Sequence, residues 1–267
     1  MSDYTPKGTL PNVPQPQIRL GLQAPGGGGK TTSALTFPNC TVADFDNSLT
    51  AYPNIPCIKF WDQEWLAATY PDFKAKKSGQ PYRSSDLLLK WMREEALKMQ
   101  YGQTLIIDSW SAIQDNFDMT HVGKFTKTGE VDEYDFWNQK FEYSTDLCSL
   151  ICSCKCDVVV TFHDNPVRDK NTGVILDKIA PLMKGQFVLQ LKRYFTDFYR
   201  VVTEDKKNVK GEVTGSTYLW QVRSNNKFDA KCRIKDLEEG IFTVPATYQF
   251  FIDQNQRKKP ETISSAT

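Results

Sequence analysis

A run of four glycines, followed by Lys30-Thr31-Thr32, separates a predicted strand from a predicted helix. The strand is predicted over residues 18–23, where apolar and polar side chains alternate. The helix should end near Phe37-Pro38, because proline disfavours helix at the residue before it. A flexible linker is not normally inserted between a strand and a helix. This loop therefore restricts the fold more than any other feature of the chain.

Residues 24–31 follow the pattern G-x-x-x-x-G-K-[ST], except that Ala24 replaces the first glycine. Glycines allow backbone N–H groups to converge on phosphate oxygens, and the following helix adds its dipole. Lys30 is expected to bridge the β- and γ-phosphates, and the Thr31 hydroxyl is expected to ligate Mg²⁺. The residues predicted to bind nucleotide are Ala24, Pro25, Gly26, Gly27, Gly28, Gly29, Lys30, Thr31, Thr32 and Asp108.

Asp108 belongs to this set because it ends a short apolar run, Leu105-Ile106-Ile107, typical of a strand buried on both faces. Downstream of a phosphate-binding loop, a carboxylate in this position lies beside Mg²⁺, usually through water. The expected metal ligands are thus Thr31 and Asp108, and the expected cofactors are ATP and Mg²⁺.

Composition bounds the rest of the chain. With 267 residues and 40% hydrophobic residues, one domain with a buried core is expected. We predict an extended, proline-rich arm at 1–16, a core at 17–253 and a flexible tail at 254–267. Lys and Arg (33) nearly balance Asp and Glu (32), but residues 184–235 hold twelve basic and five acidic side chains. With no secretory or membrane-spanning pattern, a soluble cytoplasmic protein is expected.

Strands that alternate with helices predict a mostly parallel central sheet flanked by helices, with an antiparallel extension at the C-terminal side. Further strands are predicted at 40–43, 104–108, 157–163, 198–203 and 218–223, and helices at 84–99, 137–151 and 187–196. Polar loops are predicted at 114–134 and 164–186. Cys148, Cys152, Cys154 and Cys156 run into a buried strand, so they are expected to be core residues and not metal ligands.

The order of these motifs resembles the RecA-type recombinase ATPases, and most closely the short RecA-like single-strand annealing proteins of bacteriophages. The resemblance covers about residues 18–235. It rests on the glycine loop and on four further segments: Val42–Leu49, Leu105–Ala112, Val158–His163 and Arg223–Lys227. It implies a RecA-like core of the P-loop NTPase class that hydrolyses ATP with Mg²⁺.

The resemblance also implies roles for single residues. Asp46 corresponds to the family's catalytic carboxylate, usually glutamate, that orients or deprotonates the attacking water; Asp44 is the alternative. His163 corresponds to the residue that senses the γ-phosphate, so the implied catalytic set is Lys30, Asp46 and His163. Cations that reach the nucleotide of a neighbouring subunit are expected among Lys227, Lys231 and Arg233.

The two predicted polar loops occupy the positions of the family's DNA-contacting loops. Basic side chains neutralise phosphates and aromatic rings stack on unpaired bases, although several acidic residues weaken the case for the first loop. The expected DNA-binding residues are Lys124, Lys127, Arg168, Lys170, Lys178 and Lys184. The implied partners are single-stranded DNA, further copies in a head-to-tail filament or ring, and a single-strand DNA-binding protein, with no membrane.

The resulting hypothesis is a DNA-stimulated ATPase that anneals or pairs DNA strands, in the bacterial host cytoplasm if phage-encoded. Two alternatives stay open: another DNA-associated P-loop ATPase such as a helicase or packaging motor, and a non-catalytic DNA-binding module switched by nucleotide. A small-molecule kinase should carry an arginine-rich lid, and no such segment is found in the sequence.

Overall fold

The computed structural model describes residues 17–74, 80–121, 132–169, 172–183, 187–209, 211–234, 237 and 240–257. The predicted arm at 1–16 lies outside these ranges. The strands are β1 Arg19–Ala24, β2 Cys40–Asp44, β3 Cys57–Lys59, β4 Thr104–Asp108, β5 Asp157–Arg168, β6 Ile175–Pro181, β7 Asp197–Lys207, β8 Val213–Gln221 and β9 Thr243–Pro245. The helices are α1 Lys30–Ala34, α2 Gln63–Thr69, α3 Ser84–Glu94, α4 Trp110–Thr120, α5 Glu133–Ser153, α6 Val188–Leu191 and α7 Gln249–Arg257.

In the described part of the chain, nine strands form one sheet in the order β3-β2-β4-β5-β1-β7-β8-β9, with β6 paired to β5. Each adjacent pair from β3 to β7 is parallel. Strands β8 and β9 continue the sheet in antiparallel orientation beyond β7. The prediction of an α/β fold with a mostly parallel sheet and a C-terminal antiparallel extension is therefore confirmed.

Helices cover both faces of the sheet because its central strands are apolar on both sides. Along β5, Val158 and Val160 belong to the core under α3, α4 and α5, whereas Val159 belongs to the core under α1 and α7. This division follows the two-residue period of a strand. Each fully buried valine stabilises the fold by about 1.5–3 kcal/mol relative to an exposed one.

The predicted loop at 114–134 is wrong over its first part, where α4 continues to Thr120. Ser109 caps this helix by accepting a hydrogen bond from the Ala112 amide. The polar side chain of Asn116 is buried because it bonds the Ser85 amide (2.9 Å) and the Tyr82 carbonyl (2.8 Å). Polar residues that looked like loop thus belong to a helix–helix contact, and only 122–131 lie outside the described ranges.

The predicted loop at 164–186 is also wrong, because β5 continues to Arg168 and pairs antiparallel with β6. Proline at position 166 lacks an N–H group, and the pairing register shifts between Pro166 and Arg168. The turn is stabilised by Asp169, whose carboxylate accepts from the Thr172 amide at 2.8 Å. We call the unit β5–β6 from Asp164 to Pro181 the hairpin.

Smaller differences concern element ends. The helix predicted at 84–99 ends at Glu94 and is followed by a 3₁₀ turn, and the one predicted at 187–196 is a short helix followed by a 3₁₀ turn. Strand β7 continues past its predicted end at 203 to Lys207, and β8 begins at Val213 instead of at 218. Helix α7 crosses the predicted boundary between core and tail at 253, because Phe250 and Phe251 pack against Trp220.

The cysteines near the start of β5 are all free thiols. Cys148, Cys154 and Cys156 are buried, and Cys152 on α5 is exposed. Among the described residues, no group of three or more His, Cys, Asp or Glu side chains could hold a metal ion.

Gly21 in β1 provides a test of the packing. A Cβ atom at Gly21 would lie 2.3 Å from Cδ2 of Phe198, whose buried ring is enclosed by Phe162, Phe195 and Phe228. We expect Gly21→Ala to lower the free energy of unfolding by about 1–3 kcal/mol through overpacking. Urea unfolding measures the loss.

The matched control is Gly215→Ala on β8, where a Cβ would meet nothing within 4 Å. That variant should change the free energy of unfolding by no more than about 0.5 kcal/mol. Equal urea-unfolding midpoints for the wild type and Gly21→Ala would contradict the described packing of Phe198 on β7 against Gly21 on β1.

Candidate functional site

The glycine-rich loop joins the carboxyl end of β1 to the first residue of α1. Gly27 (φ 71°) and Gly29 (φ 81°) adopt left-handed conformations that other residues rarely take. The Gly28 amide donates to the Pro25 carbonyl at 3.1 Å, which closes a turn inside the loop. The predicted loop is therefore a tight structured connection between strand and helix.

Ala24 fits where the motif has glycine because of a second glycine opposite it. Ala24 is fully buried at the end of β1. A Cβ at Gly28 would lie 2.8 Å from the Ala24 methyl carbon. The Ala24 methyl thus uses space that Gly28 leaves open, and the departure from the motif keeps the turn intact.

Lys30 lies inside this loop, with 6% of its surface exposed. Its ammonium donates to the carbonyls of Ala24 (3.1 Å) and Pro25 (2.9 Å) and lies 3.5 Å from Nδ1 of His163. Burial lowers the Lys30 pKa, and the nearby carboxylates of Asp108, Asp164 and Asp46 partly oppose that shift. Lys30, the cation predicted from the sequence, therefore lies close to three carboxylates.

Asp108 is the hub of a buried hydroxyl network. Its Oδ2 accepts from the hydroxyls of Thr31 (2.7 Å) and Ser48 (2.6 Å), and its Oδ1 accepts from the hydroxyl of Thr161. The sequence predicts Thr31 and Asp108 from two separate motifs, and the structure brings them into direct hydrogen-bond contact. A carboxylate beside a hydroxyl is an oxygen donor set that suits Mg²⁺.

Asp46 and His163 form the second part of the site. Nε2 of His163 lies 3.1 Å from Oδ2 of Asp46, and both side chains are about one-third exposed or less (31% and 28%). Burial raises the Asp46 pKa, but hydrogen bonds from His163 and Ser109 and the charges of His163 and Lys30 outweigh it. The net shift is downward, so Asp46 is ionised at neutral pH.

The alternative carboxylate, Asp44, has a different environment. It is buried, and its Oδ1 accepts from the backbone amides of Asp46 (3.1 Å) and Ser48 (3.2 Å). Burial raises its pKa, and these hydrogen bonds only partly compensate. Asp44 shapes the turn after β2, whereas Asp46 lies beside Lys30 and His163.

Two contributions were missed from the sequence. Ser48 and Thr161 complete the Asp108 network, and their only sequence signal is a hydroxyl near a strand end. Asp164, next to His163, accepts from Gln23 on β1 (2.9 Å) and from the Arg200 guanidinium on β7 (2.9 Å). These contacts fix the start of the hairpin to β1 and to β7, the next strand beyond it, and nothing in the sequence indicates the pairing.

The predicted DNA-binding cations divide into two groups. Arg168 and Lys178 are exposed on the hairpin. Four others lie outside the described residues: Lys124, Lys127, Lys170 and Lys184.

The cations predicted to act across an interface also differ from one another. Lys227 pairs with Asp177 of the hairpin at 3.0 Å. The Lys231 ammonium donates to the carbonyls of Lys192 (2.9 Å) and Phe195 (2.6 Å) within the same chain. Arg233 is exposed. Contacts within the chain thus occupy Lys231 more fully than Lys227.

The sequence model of a family described as an AAA domain matches residues 17–234. The match begins just before β1 and spans the glycine loop, Asp46, Asp108 and the hairpin. It covers well over half of the chain, so the protein belongs to this AAA-domain family and has a P-loop NTPase core that binds nucleotide. No curated protein matches the chain.

Within the described ranges, no helix combines the length and apolar character needed to cross a membrane.

Proposed function

We propose that the protein is a Mg²⁺-dependent, DNA-stimulated ATPase of the RecA type that binds single-stranded DNA and promotes annealing or strand pairing. The observation that carries this proposal is the cluster of Lys30, Asp46 and His163 at the base of the hairpin. Within this cluster, His163 lies on β5, the same strand that carries the exposed Arg168 of the hairpin.

In the proposed reaction, water attacks the γ-phosphorus, and the bond between that phosphorus and the oxygen of the β-phosphate breaks to give ADP and phosphate. The ionised carboxylate of Asp46, beside Lys30 and His163, orients the water and takes its proton. Lys30 neutralises charge that develops on the phosphate oxygens. Mg²⁺, which the Thr31 hydroxyl and Asp108 would hold, supplies further charge neutralisation when bound.

His163 gives the proposal its link to DNA. Its Nδ1 faces the Lys30 ammonium and its Nε2 faces Asp46. Arg168 lies five residues further along β5, which corresponds to roughly 16 Å of extended strand. We therefore propose that a change in the contacts of Lys30 or Asp46 alters the position of His163, and with it the start of the hairpin.

The hairpin extends from the edge of the sheet where the parallel strands end, the edge at which open α/β sheets bind their ligands. Arg168 and Lys178 supply exposed positive charge there. Head-to-tail assembly, with Lys227 or Arg233 reaching the nucleotide of the next subunit, belongs to the same proposal.

The two aspartates give a matched test of the hydrolytic step. Asp46→Asn removes the ionised carboxylate beside His163 and should lower ATP turnover about 10²–10⁴-fold while ATP affinity is retained. Asp44→Asn keeps an oxygen acceptor for the turn amides and should turn over ATP at nearly the wild-type rate. Phosphate release and binding of a fluorescent ATP analogue measure the two quantities. If Asp44→Asn lost turnover and Asp46→Asn did not, the catalytic carboxylate would be Asp44 and the assignment to Asp46 would be wrong.

DNA binding by the hairpin predicts salt-dependent affinity for single strands. A log–log plot of affinity against salt should fall with a slope of about −0.7 per phosphate neutralised. The double variant Arg168→Ala/Lys178→Ala should weaken binding and reduce the steepness by about 0.7 per side chain. Fluorescence anisotropy with a labelled oligonucleotide measures both effects.

The control is Lys98→Ala, which removes an exposed lysine from the 3₁₀ turn after α3. This variant should keep the wild-type affinity and slope. A hairpin variant with wild-type slope would remove the hairpin from the DNA site, and an oligonucleotide that does not bind would leave only the ATPase.

A further inference from the structure

Tyr218 on β8 packs directly on the glycine-rich loop. A Cβ atom at Gly29 would lie 2.3 Å from Cδ1 and 2.4 Å from Cε1 of the Tyr218 ring. No side chain other than hydrogen fits at position 29 while the ring stays there. Gly29 precedes Lys30, so the ring contacts the residue at which the loop becomes helix α1.

The strand that carries Tyr218 is well anchored. Tyr218 pairs with Thr203 of β7, and its carbonyl accepts from the Ala246 amide at 3.2 Å. The half-buried ring packs against the core under α1, which also contains Trp220 of β8 and Val222 just after it. The antiparallel extension therefore holds the ring firmly beside the loop.

The conformation of Gly29 is one that the contact with the Tyr218 ring would stabilise. Gly29 holds a left-handed conformation (φ 81°), and its carbonyl accepts from both the amide and the hydroxyl of Ser33. Glycine gains conformational freedom when unfolded or displaced, so ordering this position has an entropic cost. A flat ring across Gly29 restricts the loop before any ligand arrives.

We propose that Tyr218 is a positioning residue that holds the phosphate loop in its phosphate-binding conformation. It acts on the loop and not on the nucleoside, so it should matter equally for any ligand bound through its phosphates. The inference rests on nucleotide binding at the loop, on which the proposed function also depends, and it does not depend on DNA.

The experiment compares two ligands, MgATP and inorganic tripolyphosphate, on the full chain without DNA. Tyr218→Ala should weaken both to a similar extent, by about 10- to 100-fold, because misplacement of loop amides affects every phosphate contact. Tyr218→Phe keeps the ring and should bind both ligands as the wild type does. In turnover, Tyr218→Ala should raise KM more than it lowers kcat. Tyr101→Ala, which removes an exposed tyrosine (54%) before β4, is the control and should change neither affinity.

Calorimetry gives the affinities, and circular dichroism with a thermal melt checks folding. Should Tyr218→Ala not fold, Tyr218→Leu carries the same expectation, because leucine keeps apolar volume without a flat ring. Wild-type affinity of the variant for tripolyphosphate would overturn the inference, whether ATP binding falls or not. Wild-type protein that binds neither ligand would instead refute the nucleotide site and the proposed function with it.

Discussion

The buried carboxylate of Asp108 joins three elements that lie apart in the chain. Its two oxygens accept hydrogen bonds from Thr31 on α1, Ser48 after β2 and Thr161 on β5. A buried charge is tolerated only when its hydrogen bonds are satisfied, so these hydroxyls must stay in register with β4. The glycine loop, the turn bearing Asp46 and the strand bearing His163 thereby have fixed relative positions.

Strand β5 extends this arrangement beyond the core. Its first half is buried on both faces, its middle bears His163, and its last residues form one side of the hairpin. At the start of the hairpin, the Asp164 carboxylate accepts hydrogen bonds from Gln23 on β1 and Arg200 on β7. Because one continuous strand joins the site to the hairpin, the proposed coupling between ATP and DNA requires no additional moving domain.

The sequence predicted what local patterns encode and missed what tertiary contacts decide. The strand–loop–helix around Lys30 and the strand ending at Asp108 follow from glycine content and apolar runs. Residues 114–120 and the hairpin are rich in polar side chains, a pattern typical of loops, but these side chains bond partners distant in sequence, as Asn116 does with Ser85. The choice between Asp44 and Asp46 likewise depends on the direction of the turn after β2, which composition cannot specify.

The proposed DNA-stimulated ATPase is tested by the steady-state ATP turnover of the wild-type chain with Mg²⁺, measured with and without a single-stranded oligonucleotide. We expect measurable hydrolysis that rises when the oligonucleotide is added, because His163, which contacts Lys30 and Asp46, lies on the strand that continues into the hairpin. Hydrolysis at the same rate with and without the oligonucleotide, or no hydrolysis in either case, would contradict it.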